Sequence, residues 1–62
     1  MKLVFQRQYD YHLAFVPEAE LMYAIKNDRG TFELYVNGQF MGKYDNITLA
    51  KKKAQQVEDK RK

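Results

Sequence analysis

Thr31-Phe32-Glu33-Leu34-Tyr35-Val36, Asn37-Gly38, Gln39-Phe40-Met41-Gly42-Lys43-Tyr44 is the stretch of this 62-residue chain that decides its fold. Two alternating apolar runs flank Asn-Gly, and a type I′ turn needs positive φ at both central residues, so the stretch reads as a tight β-hairpin. Downstream the period changes. Ile47, Ala50, Ala54 and Val57 recur at spacings of three, four and three, which aligns them on one face of a helix. Asn46 supplies an N-cap oxygen, although Leu49 stands where a capping box would put Glu or Gln. The helix is expected over 46–59, with Glu58 to Lys62 fraying and 60–62 forming a tail.

Working upstream, Asn27-Asp28-Arg29-Gly30 reads as a four-residue turn with glycine at its left-handed position. Leu21 to Lys26 and Tyr11 to Val16 are strands, separated by Pro17-Glu18-Ala19-Glu20, where proline fixes φ and removes a ladder donor. Leu3 to Gln8, within residues 1–10, is either a strand or an extended arm. The expected architecture is a single α+β domain: an antiparallel meander of three or four strands over 11–44, packed against one C-terminal helix.

Pairing the strands through these turns sorts the side chains by face. The two-residue hairpin loop sets Tyr35 opposite Phe40 and Leu34 opposite Met41; the four-residue loop sets Ile25 opposite Phe32 and Tyr23 opposite Leu34. One face then collects Leu21, Tyr23, Ile25, Phe32, Leu34, Val36 and Met41, a core for the helix to cover. The other collects Met22, Ala24, Tyr35, Phe40 and Tyr44, with Leu13 or Phe15, and is also apolar and aromatic. One helix covers one face, so the second has three explanations. Leu3-Val4-Phe5 folds over it, or it is a homodimer or partner interface, or it is a base-stacking platform for single-stranded nucleic acid.

Composition narrows the chemistry. A chain this short buries only roughly 60% of its unfolded surface and has no room for a deep catalytic cavity. Cysteine and serine are both absent, which leaves Thr31 and Thr48 as hydroxyl nucleophiles, neither with a base at suggestive spacing. His12 is the sole histidine; Asp10 and His12 alternate on one strand face, but no second His or Cys completes a transition-metal set. No enzyme activity, catalytic residue, metal or cofactor is expected. The N-terminus lacks the apolar core of a signal peptide, and no apolar run approaches the ~20 residues of a membrane span, so a cytoplasmic protein without a membrane partner is expected.

Charge is placed unevenly. Residues 1–44 hold five basic and five acidic side chains, whereas 45–62 hold six basic against three acidic, so the whole net charge of +3 lies on the helix and tail. Lys51, Lys52 and Lys53 spread over some 200° of helix surface. They keep a small protein soluble, grip phosphates, or steer an acidic protein partner.

The run Phe32-x-Leu34-x-Val36-Asn37-Gly38-x-x-x-Gly42, followed by Ala50-Lys51-Lys52-Lys53-Ala54, resembles the second half of a double-stranded-RNA-binding domain. The resemblance implies that Lys51 and Lys52 contact phosphates across a groove; Gln55 replaces the family's last lysine, and its N-terminal helix has no counterpart here. The same region is similar to the three-stranded DNA-binding domains of tyrosine-type integrase N-termini and plant AP2 proteins, whose sheets enter the major groove. Residues 11 to 57 also look like short uncharacterised phage and prophage proteins, in which a Gly-x-Phe/Tyr strand enters an Ala-Lys-rich helix. That likeness implies a phage or mobile-element origin and a bacterial host cytoplasm.

The expected function is therefore that of a small nucleic-acid-binding accessory protein with a basic helix as phosphate clamp. Lys43, Lys51, Lys52, Lys53, Lys60, Arg61 and Lys62 are the candidate nucleic-acid contacts. The alternative is a protein-interaction module, a homodimer or a modulator of a host protein, anchored by Tyr35, Phe40 and Tyr44.

Overall fold

A computed structural model describes residues 2–61; Lys62 lies outside the described residues. Asn37 and Gly38 have φ of 50° and 84°, both positive as a two-residue hairpin requires, and Arg29 and Gly30 repeat the pattern at 53° and 84°. The turn after the third strand is thus two residues long, not four. β1 (Gln6–Gln8), β2 (Tyr11–Val16), β3 (Leu21–Asp28), β4 (Thr31–Val36) and β5 (Gln39–Tyr44) form one antiparallel sheet in sequence order, followed by α1 (Ile47–Arg61). A short 3₁₀ turn at Pro17–Ala19 joins β2 to β3.

The α+β class is as expected, but the sheet has five strands rather than three or four. Gln6, Arg7 and Gln8 pair with Leu13, His12 and Tyr11. An edge strand needs only backbone partners on one side, so this polar tripeptide carries no alternation by which it could be recognised. The shorter turn also moves β4 two residues along β3, setting Ile25 opposite Leu34 and Tyr23 opposite Val36. A shift of two preserves side-chain parity, and the face assignments on β3 and β4 stand.

β5 departs from expectation through a bulge. Tyr35 meets Phe40, but Leu34 meets Gly42, leaving Met41 as an extra residue. Every side chain beyond it changes sides. Met41, expected in the core, is 39% exposed. Tyr44, expected on the far face, sits opposite Phe32 and packs against the core, while Lys43 sits opposite Glu33 and points away from the helix. Gly42 makes this packing feasible, because a Cβ there would lie 2.9 Å from the Tyr44 hydroxyl oxygen.

The core lies between the sheet and α1. Tyr23, Ile25 and Leu34 are fully buried beneath Ala50 and Ala54, whose small side chains let the helix lie close over β3, β4 and β5. Asn46 caps the helix, its Oδ1 accepting the Leu49 N–H at 2.9 Å. At the other end the helix runs to Arg61, past the expected end at 59, because Glu58 is no frayed residue but is fully buried.

Candidate functional site

The N-terminal arm decides which surfaces stay open. Leu3 is buried in the core and its N–H donates to Gln55 Oε1 at 2.8 Å, while the Lys51 ammonium lies 5.8 Å from the centre of the Phe5 ring. The arm therefore runs beside α1 in the opposite direction, on the helix side of the sheet. Leu3 and Phe5 pack on that side, while Val4 only borders the second apolar face, at a concavity it lines with Gln6, Gln8, Leu13, Phe15 and Met22, and stays 72% exposed.

Following the arm into β1 brings Arg7 to the helix side, opposite His12. Desolvation, then the positive charges of Lys51 and Arg7, lower the His12 pKa from its ordinary value. Beside His12 lies a shallow concavity of about 210 Å³, lined by Arg7, Tyr9, Asp10, His12, Asn27, Phe32 and Ile47. Tyr9, at the β1–β2 turn, is 93% exposed and has φ of 55°, a left-handed conformation uncommon for a bulky side chain. Its side chain lines this concavity, in which the Asp10 carboxylate offsets the charge of Arg7.

The expected phosphate contacts are divided by this geometry. Lys51, Lys52 and Lys60 are exposed on α1, and Lys53 is half-buried. Among the described residues none of these four forms an ion pair. Arg61 is committed to Glu58: its Nε donates to Oε1 and its Nη2 to Oε2, both at 2.9 Å. Tyr23 Oη donates to the same Oε1 at 3.0 Å. The Arg61 hydrogen bonds, assisted by Tyr23, hold the Glu58 carboxyl down at about 2, although burial pushes the other way. Burial and Glu58 in turn push the Tyr23 phenol up to about 12. This network ties the helix C-terminus to the centre of the sheet and neutralises Arg61. Lys43 is separated from the helix lysines by the sheet itself.

On the far face Tyr35 and Phe40 meet edge to face, with ring centroids 5.6 Å apart. Phe15 and Met22 pair beside them and are 59% and 42% exposed; Leu13 lies opposite Ala24. Both Leu13 and Phe15 therefore belong to this surface, which Tyr44 leaves. Tyr35 Oη donates to Glu33 at 3.0 Å, raising the Tyr35 pKa.

Sequence reasoning missed Arg7 as a site residue and read His12 as a structural or exposed histidine in preference to a metal ligand. Their proximity depends on β1, the strand without a signature. Glu58 does extend the four-residue spacing of Ala50 and Ala54, a signal hidden by its charge. Among the described residues no three His, Asp or Glu side chains gather into a metal-binding group, and no helix is long and apolar enough to cross a membrane. No protein-family model, curated protein or solved structure matches the chain.

Proposed function

We propose that this chain is a small non-enzymatic nucleic-acid-binding accessory protein that grips phosphates on its helix side. The observation that carries the reading is the placement of Arg7, opposite His12, on the helix side of the sheet, the side on which Lys51 lies over Phe5 and, among the described residues, forms no ion pair. Lys52 adds a second exposed lysine next to Lys51 on α1, whereas Lys60, nine residues on, projects from the opposite side of the helix. Such contacts are electrostatic and independent of sequence, and they position a backbone rather than read bases. Tyr9 beside Arg7 offers an exposed ring to an unpaired base. The likeness of the hairpin and basic helix to double-stranded-RNA-binding and integrase-type units supports the same reading, as does the likeness to phage proteins for a mobile-element origin.

Fluorescence anisotropy with single- and double-stranded oligonucleotides at several salt concentrations tests it. Binding should weaken steeply with salt, and Arg7→Ala or Lys51→Ala should each lower the log–log salt slope by about 1. His12 should titrate at higher pH in the complex, since a phosphate offsets the repulsion from Lys51 and Arg7. Absence of binding at low salt, or binding indifferent to salt, would sink the proposal.

A second reading, a protein-interaction surface, is favoured by one observation: the arm is spent on the helix side and leaves Phe15, Met22 and Phe40 bare.

A further inference from the structure

We propose that the bare sheet face docks on the same face of a second copy of this chain, related by a two-fold axis parallel to the strands and passing between β3 and β4. The cross-strand register supplies the argument. One row across the face reads Tyr11, Lys26, Glu33, Lys43 from β2 to β5. The proposed axis exchanges β3 with β4 and β2 with β5, so the row meets itself reversed. Lys26 then faces the partner's Glu33, Glu33 faces the partner's Lys26, and each Tyr11 ring faces a lysine, the partner's Lys43. The next row reads Leu13, Ala24, Tyr35, Phe40. Reversed on itself it sets the small Ala24 under the partner's Tyr35 and Leu13 against the partner's Phe40. Both charge and size are self-complementary under one operation, as an isologous interface requires.

The alternatives fit the same face less well. Lys26 and Lys43 are offset there by Asp28 and Glu33, so the face offers no net positive field to a nucleic-acid backbone. Pairing through sheet edges is opposed by the three-residue length of β1 and by the Met41 bulge in β5. A standard interface buries roughly 800 Å² per partner, under a fifth of the 4486 Å² that this chain exposes. Burying exposed Phe, Met and Tyr is the composition such contacts favour. Both basic helices would then face outward, leaving the helix-side surface accessible in the dimer.

Sedimentation equilibrium on the full chain, from about 5 to 500 µM, should show the mass rising from 7.4 kDa toward twice that value. Phe40→Glu, at a site 53% exposed, should hold the protein monomeric across this range with an unchanged circular-dichroism spectrum. Phe15→Lys, 59% exposed on another strand, makes the same test independently should the first variant not fold. Lys26→Glu should raise the dimer dissociation constant at least tenfold, and the exchange Lys26→Glu/Glu33→Lys should restore it to within about threefold. Lys52→Glu, on the other side of the molecule, should leave it unchanged. A wild-type chain that stays monomeric at 500 µM overturns the proposal. So does a dimer that Phe40→Glu and Phe15→Lys leave intact, or a monomer whose Leu13, Tyr35 and Phe40 resonances move on adding oligo(dT).

Discussion

Glu58 shows how one side chain can hold an element that composition would leave loose. Its carboxylate is fully buried, yet both oxygens are satisfied by Arg61 and Tyr23, so the charge has partners where water is absent. Its folded pKa of about 2 lies below the ordinary 4.5. A depressed carboxyl contributes stability that is complete above 4.5 and is lost as pH falls toward 2. Glu58→Gln should therefore lower the thermal midpoint near pH 7, and the gap from the native chain should close between pH 4.5 and pH 2; a gap independent of pH would contradict the ion pair. Tyr23, held up at about 12, gives the opposite limb: stability is complete below 10 and is lost as pH rises through 12. Tyr23→Phe should remove that alkaline loss and cost about 1 kcal/mol near neutrality, read by urea denaturation.

Among the elements, the β4–β5 hairpin was the most legible, because Asn37-Gly38 meets a local requirement on φ that few residues satisfy. The side chain of Asn37 does more than turn the chain. Its Oδ1 accepts the Met22 N–H at 2.8 Å and its Nδ2 donates to the Glu20 carbonyl at 3.3 Å, clamping the hairpin tip to the start of β3. Asn37→Ala should cost about 2 kcal/mol by combining left-handed strain with lost hydrogen bonds, and Asn37→Gly should cost less because it keeps only the second penalty. Urea midpoints of the two variants separate the terms; equal losses would remove strain from the account. The bulge at Met41 was not legible. Its insertion depends on how Tyr44 packs over Gly42 against the core, a contact between elements, whereas alternation along β5 alone reads as an unbroken strand.

Across the whole molecule, the arm is the feature that separates two surfaces. With Leu3 buried beside Gln55 and Val4 72% exposed, Leu3→Ala should cost about 2 kcal/mol while Val4→Ala stays within about 0.5 kcal/mol. Equal effects in thermal unfolding would mean the arm does not dock as described. The basic surface of Arg7, His12, Lys51 and Lys52 and the aromatic surface of Phe15, Tyr35 and Phe40 lie on opposite sides of the sheet, so one ligand does not span both. The two proposals are therefore separable by test: variants at Arg7 and Lys51 should change oligonucleotide binding without changing sedimentation, and variants at Phe15 and Phe40 the reverse.

The sequence by itself determined the hairpin, the helix and the helix-facing stripe of Tyr23, Ile25, Leu34, Ala50 and Ala54, because turn chemistry and hydrophobic period act over a few neighbouring residues. It also determined where the net charge lies. Only the tertiary structure decided that Arg7 and His12 join Lys51, that Lys43 and Tyr44 exchange sides, that Arg61 is neutralised by a buried Glu58, and that the arm leaves the far face bare. The edge strand, the bulge and the arm depend on contacts between elements, and although Glu58 and Arg61 are only three residues apart, their pair is buried by the packing of the helix end on Tyr23 of β3, which local patterning does not encode.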